Sequence, residues 1–547
     1  MFIRTNRNRQ GREYLQIVRS YRENGRVKQK VLFTVGRLDV LQENGDIDQL
    51  IEALSRFAAR QSMIDLSKDI SVDKIYYLGA AHIARRMFDR VGLAKVLDRL
   101  ERLHTRLEMH WQELIFGMML SRLMGPCSKK RWKEEWLSRV YPELLRAGEP
   151  SLSAVYRALD ILYEHKEVIE AAIFERNGER DLFNQQIDIV FYDTTTLSFE
   201  STDDQRGNLR RFGYSKDHKN DCTQVVLGLL IDRDGIPVGY ELFPGNTYDG
   251  KSVPGILEKL KDKFHIGRVI FVADRGMVSK KNITELREAG MEYIFGMRLA
   301  KTDEQSQEMF YDLKRYQMIG EDEKLGIWET TYQGDRLILT WSEDRAARDA
   351  WVREQLLEKI QGLLEKHTDA KRFVSHRGYR QFLKGLDEGT VVLDEQAVAE
   401  SRKRDGFFGV ITNIPADKMS GVDVYARYKD LWRIEDAFGE IKGPLKTRPI
   451  FHWTDKRIHS HVLICLMSYY LEAVITRILR QKKAEFTAGE LFRDLNEVYA
   501  IPVEVRDTVA WVRNELGAVS SKGYQYLGLK PPERLLKIEK KGVVARK

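Results

Sequence analysis

The stretch FYDTTTLSFE, Phe191–Glu200, follows the apolar run IDIV and continues it as a β-strand. Side chains alternate along a strand, so Asp193 shares a face with Ile189, Phe191, Thr195 and Leu197. An acid on an apolar face costs free energy unless something pairs with it. The reading of the chain turns on what that partner is.

Working outward, TQVVLGLLID and IPVGYELF read as two more strands joined by a turn at RDG. SVPGILEKLKDKF has the spacing of an amphipathic helix. RVIFVAD is an apolar run of the buried, parallel type. SKKNITELREAG reads as a helix capped by Ser279 and closed at Gly290, and EYIFGM as a further strand. The order strand, strand, strand, helix, strand, helix, strand predicts an α/β core. Asp274 closes RVIFVAD, and ligands in open α/β sheets gather at the carboxyl ends of strands. Residues 299–404 interrupt the rhythm with strand candidates (RLILTW, TVVL) and a charged helix, and read as an inserted subdomain. GFFGVITN returns to strand.

VDVYARYKDLWRIEDAFGEIKG then reads as one helix ended by Gly443 and Pro444, with Leu431, Ile434, Phe438 and Ile441 as its core stripe. Tyr428, Glu435 and Lys442 stand seven residues apart, which places them along one edge of that stripe. Asp193, Asp274 and Glu435 together form a carboxylate set able to bind two Mg²⁺ about 4 Å apart for phosphodiester chemistry.

The 547 residues are too many for one core; 43% are hydrophobic and 31% charged, as in soluble globular protein. Cys127, Cys222 and Cys465 are far apart, which excludes a disulfide framework or a cysteine zinc site and suits a reducing cytosol. The N-terminus has no apolar signal segment, and VLICLMSYYLEAVI, broken by Ser468 and Glu472, is too short and polar to span a membrane. Net charge is +8, and residues 1–37 alone carry ten Lys or Arg against two acids. There, two strand-like runs flank Asn24-Gly25, a hairpin signal, decorated by Arg22, Arg26 and Lys28. Such a basic hairpin grips phosphates or is simply a soluble edge. The predicted organisation is a hairpin module (1–40), a helical domain (74–180), a first core segment (186–298), the insertion (299–404), a second core segment (405–480) and a C-terminal region (481–547). The helical domain binds DNA, dimerises or scaffolds; its sequence does not choose.

The acids and the helix YKDLWRIEDAFGEIK, with GYSKDHKNDCTQVVLGLLID, ELFPGNTYDG, VADRGMVSK and RPIFHWTDKRIHSH, resemble a DDE transposase on a ribonuclease-H-like fold. The branch is that of bacterial insertion sequences with the Tyr-x2-Arg-x3-Glu-x6-Lys signature, the insertion-sequence-four-like group. The resemblance implies Asp193, Asp274 and Glu435 as catalytic and metal-binding, with Mg²⁺ as the ion and Mn²⁺ as a substitute. It implies DNA contacts by Tyr428 and Lys442, with Trp432 and Arg433 in the usual WRIE, and by the hairpin residues Arg22, Arg26 and Lys28. Its implied partners are double-stranded DNA with terminal inverted repeats, target DNA and a second copy of the chain, with no membrane, in a cytoplasmic, nucleoid-associated protein. The signature arginine position is Leu431, so that arginine's phosphate contact is missing or relocated. His452, His459 and His461 read as structural rather than zinc-binding. The alternatives are a ribonuclease-H-like nuclease or resolvase without strand transfer, and a non-catalytic DNA-binding relative.

Overall fold

The computed structural model describes residues 1–547 except 24–25, 56, 58–69, 73, 105–108, 181–187, 201, 203–206, 217–220, 257–268, 278, 321, 366–376, 385–390, 506–507 and 541–547. The chain divides into two compact units. The first is Met1–Ile75 with Ala500–Asn514 and Glu533–Lys547; the second is Tyr76–Tyr499 with Glu515–Pro532.

In the first unit β1 (Phe2–Arg7), β2 (Glu13–Glu23) and β3 (Arg26–Arg37) form an antiparallel sheet. Glu23 pairs with Arg26 across a two-residue connection. The predicted Asn24-Gly25 turn itself lies outside the described residues. Strand Leu535–Lys540 pairs with Thr508–Arg513. The region 481–547 is therefore divided: its late strands fall in the unit of the N-terminal sheet, and helix Ala518–Leu527 falls in the other.

The second unit starts with helices α1 (Gly79–Arg90), α2 (Leu93–Glu101), α3 (Trp111–Met124), α4 (Leu152–Glu164) and α5 (Lys166–Arg180). Ser151 caps α4, accepting from the Ala154 N–H at 3.1 Å, as its position before the apolar run predicts. The sheet follows: β4 (Asp188–Ser198), β5 (Gln224–Asp232), β6 (Pro237–Pro244), β7 (Val269–Ala273), helix α6 (Lys280–Glu288) and β8 (Glu292–Met297). Of the helix predicted between β6 and β7, residues 257–268 lie outside those described. Ser279 caps α6, and Gly290 after it has a left-handed φ of 68°. Next come β9 (Gln317–Ile319), β10 (Leu325–Tyr332), β11 (Asp335–Ser342), helix α7 (Glu343–Leu364) and β12 (Phe407–Thr412). The last elements are α8 (Gly421–Lys429), α9 (Trp432–Lys442) and α10 (Asp455–Gln481).

The sheet order is β9-β10-β11-β12-β8-β7-β4-β5-β6. β4 is antiparallel to β5 and parallel to β7, and β7 is parallel to β8. The predicted insertion is thus not a free-standing body in its strands. β11 pairs with β12 along six residues, Arg336 to Trp341, so β9–β11 extend the core sheet. A smaller cluster around Ile360, Phe382, Val391 and Val398 lies in the remainder of the insertion.

The helical region is not a separate core either. α10 packs against α3 and α4, and one apolar cluster takes in Phe88, Phe116, Leu159, Ile464 and, from the sheet, Ile189, Phe191 and Leu197. α10 runs 27 residues and is long and apolar enough to cross a membrane by length and composition, yet 83% of its most apolar window is buried inside the protein. The apolar stretch read as too short belongs to this longer, buried helix.

Where the chain after β6 passes under the start of β5, Gly245 lies so close that a Cβ would meet the carbonyl oxygens of Gln224 and Arg211. Neither is a flexible side-chain tip. Gly245→Ala is expected to cost about 1–3 kcal/mol through overpacking, read as a lower denaturant midpoint for unfolding.

Candidate active site

β4 is eleven residues long and β7 only five. Their parallel register sets Tyr192 opposite Ala273. Asp193 and Asp274 are therefore one step beyond that pair on neighbouring chains, where strands are about 5 Å apart. Asp193 lies mid-strand only because β4 runs on to pair with β5. Measured against β7, it stands at the carboxyl edge.

α9 packs on β4 with Ile434, Phe438 and Ile441 buried. Asp193, Asp274 and Glu435 line one cavity of about 460 Å³. Tyr428 lines it as well and donates its hydroxyl to Asp274 Oδ1 at 3.0 Å. Burial, and then the Asp274 charge, raise the Tyr428 pKa above the usual phenol value, with Arg275 and Arg345 opposing. Tyr428 thus stays a protonated donor at any working pH. Lys216 places its ammonium 3.8 Å from Asp193 Oδ1 and donates to the Thr194 carbonyl at 2.6 Å. A second bond, from the Thr194 N–H to Asp193 Oδ1 at 2.7 Å, fixes that carboxylate's rotamer.

The expected single helix is two. The chain tightens at Asp430-Leu431, where Leu431 N–H bonds the Tyr428 carbonyl and Ile434 N–H bonds that of Leu431, both at 3.1 Å and both three residues back. At the bend Asp430 makes ion pairs with Arg427 at 3.7 Å and Arg433 at 3.3 Å. Tyr428 and Glu435 nevertheless reach one cavity. Lys442 is not among the cavity's lining residues, and two helical turns, about 10 Å, separate it from Glu435 along α9. Arg433 is turned to Asp430 and stacks on Trp432, 4.9 Å from the ring centroid. Trp432 is 45% exposed and lines the cavity, so it is not core packing. Arg22, Arg26 and Lys28 are exposed on the N-terminal sheet of the other unit.

Sequence reasoning missed five further cations, one of them Lys429 at the end of α8. Lys216 fell inside a quoted block but has no motif spacing of its own. Arg275, Arg345 and Arg348 line the cavity, the last two from α7 in the insertion, far from any of the three acids in sequence. His461 Nε2 meets the Thr447 carbonyl at 2.9 Å, in a buried setting.

The donors are all oxygen, which is the chemistry a hard dication takes. Among the described residues no three His, Cys, Asp or Glu side chains stand close enough to hold an ion by themselves.

On the other side of Trp432 and Glu435 lies a cavity of about 860 Å³, lined also by Asp436, Glu440 and Glu472. Burial, then the Glu440 charge, push the Glu472 carboxyl up to about 7. Burial and then Asp436 raise Glu440 likewise.

A model of the transposase DDE domain matches residues 184–471, more than half of the chain. A model of the IS1634 family transposase N-terminal domain matches residues 3–67. Among solved structures, a cryo-EM structure of a piggyBac transposase synaptic complex with hairpin DNA is similar with a TM-score of 0.35 and 9% identity, covering 71% of this chain and 70% of that one. No curated protein matches.

Glu472 has a folded-state pKa above its unfolded one, so folding disfavours its charge. Below about pH 4.5 both states are protonated and nothing is lost; between 4.5 and 7 the unfolded state ionises first and stability falls. Glu472→Gln is therefore expected to add about 2–3 kcal/mol of stability above pH 7 and none near pH 4. Denaturant midpoints at the two pH values check this, and equal gains at both would contradict it.

Proposed function

Since the chain belongs to the transposases with a DDE domain, and so acts on DNA, we propose that it excises and inserts a DNA element through its three acids. Asp193, Asp274 and Glu435 are the catalytic, metal-holding carboxylates, and their convergence on one cavity from β4, the end of β7 and α9 carries this reading. The run β6-β5-β4-β7-β8, three antiparallel strands followed by two parallel ones, supports a ribonuclease-H-like core. The placement of Tyr428 and Glu435 on the same cavity supports the branch with the Tyr-Arg-Glu-Lys signature.

Divalent ions bound by these acids, Mg²⁺ or its substitute Mn²⁺, would supply an activated attacking oxygen and stabilise the leaving one. The chain's own residues prepare for that. Tyr428 holds Asp274 by its hydroxyl, and Lys216 and the Thr194 N–H hold Asp193, so two carboxylates are oriented before DNA arrives. Glu435, exposed on α9, completes the set. Water attacks at the element's end and the freed 3′-hydroxyl then attacks target DNA. Trp432, exposed beside Glu435, offers a stacking face to the end's bases. Lys442 and Arg433 contact phosphate further along the strand.

The N-terminal sheet grips DNA phosphates through Arg22, Arg26 and Lys28, and the chain works as a homodimer on terminal inverted repeats in the cytoplasm. The family model over residues 3–67 supports an N-terminal module proper to such transposases.

Two experiments test this reading. Asp193→Asn, Asp274→Asn or Glu435→Gln in the full-length chain should each lower Mg²⁺-dependent end cleavage by about 10³-fold or more, with DNA retention kept in a mobility-shift assay. A variant cleaving at the parent rate removes its residue from the mechanism. Arg22→Ala/Arg26→Ala/Lys28→Ala should reduce the slope of log affinity against log salt by about 2–3 units. An unchanged slope would return the hairpin to a merely soluble edge.

A further inference from the structure

We propose that Arg345 and Arg348, on the insertion's helix α7, supply the phosphate-binding cation that Leu431 cannot. This rests on the catalytic reading of the same cavity.

Leu431 faces the cavity, at the bend between α8 and α9. A leucine there offers no charge to DNA phosphate, although the acids across from it would hold metal and, through it, a phosphate. Arg345 and Arg348 line the same cavity. They are three residues apart on α7, which puts them on one helix face. Neither is committed elsewhere in the manner of a structural arginine. Arg345 Nε is buried without a hydrogen-bond partner; its nearest acid, Asp349, is 3.7 Å away, beyond hydrogen-bond reach. The guanidinium is held over the Phe408 ring, 4.6 Å from the centroid, which restrains its plane and leaves its edge free. Arg348 is exposed and makes no ion pair or hydrogen bond among the described residues.

Compare the insertion's other buried arginine. Arg353, two turns on, closes both nitrogens on Asp405 at 2.5 and 2.6 Å. That is what a structural arginine looks like in this helix. Arg345 and Arg348 lack such a fork partner, and a phosphodiester has the geometry to be one. The anion is accordingly clamped between metal-holding acids on the core and a guanidinium pair from the insertion. An element added between β8 and β12 thereby becomes part of the site.

The test uses the full-length chain and a duplex carrying the terminal repeats that flank its own gene. Two quantities are read: end-cleavage rate in Mg²⁺, and the salt dependence of binding in chelator. Arg345→Ala/Arg348→Ala should slow cleavage about 10- to 100-fold and reduce the binding slope by about 1–2 units. Adding Leu431→Arg to that double variant should restore the rate about tenfold or more, an effect no repair of packing on α7 would produce. A rate within twofold of the parent with an unchanged slope overturns the proposal, as does a loss that Leu431→Arg does not restore. Asp193→Asn runs beside them. Should it cleave normally, the catalytic reading fails, while the binding slope still reports on the two arginines.

Discussion

The register between two parallel strands organises this protein. With Tyr192 opposite Ala273, Asp193 and Asp274 are brought side by side at one edge of the sheet. Two carboxylates at that spacing repel, and neither can be spared by burial. The fold offsets this with a donor to each, the Tyr428 hydroxyl to Asp274 and the Thr194 N–H to Asp193, and with the Lys216 ammonium 3.8 Å from Asp193. The result is a pair of oriented acids, one held by a neutral hydroxyl and the other beside a lysine.

Holding that register takes most of the second unit. One face of β4 sends Ile189, Phe191 and Leu197 into the cluster built on α10, and the other sends Val190 and Tyr192 into a second cluster with Phe271 and Phe295. A one-residue slip would exchange the two faces and move Asp193 off the cavity. α10 is buried almost throughout because it stands between the helical region and the sheet. The helices α3 and α4 therefore serve the site indirectly, by completing the core on which β4 and α9 rest.

Much of the core was legible from the sequence because its signals are local. Alternation marked β4–β6, Ser279 and Gly290 bounded α6, and the apolar run before Asp274 marked a parallel strand. The misreadings concern long-range pairing. Nothing in RLILTW shows that it pairs with GFFGVITN, so the insertion looked separate. The helix of residues 422–443 looked continuous because its apolar stripe survives the bend; the tightening at Asp430-Leu431 leaves no mark in that spacing. Arg345 and Arg348 had no signal at all, since their meaning lies in what α7 faces and not in any spacing to the acids.

The charge around Glu435 differs on its two sides. Toward Asp193 and Asp274 the cavity has Arg275, Arg345, Arg348 and Lys429 near the acids. Toward the larger cavity the neighbours include Asp436, Glu440 and Glu472, with Glu472 pushed up to about 7, and the acids there outnumber Arg433, Arg480 and Arg493. A polyanion approaching α9 meets attraction on one side of Trp432 and repulsion on the other. Partial protonation of Glu472 limits that repulsion without removing it, because Asp436 and Glu440 remain. The charge beside α9 is therefore graded, cations gathering on the side where the three carboxylates converge and acids on the side that leads away from it.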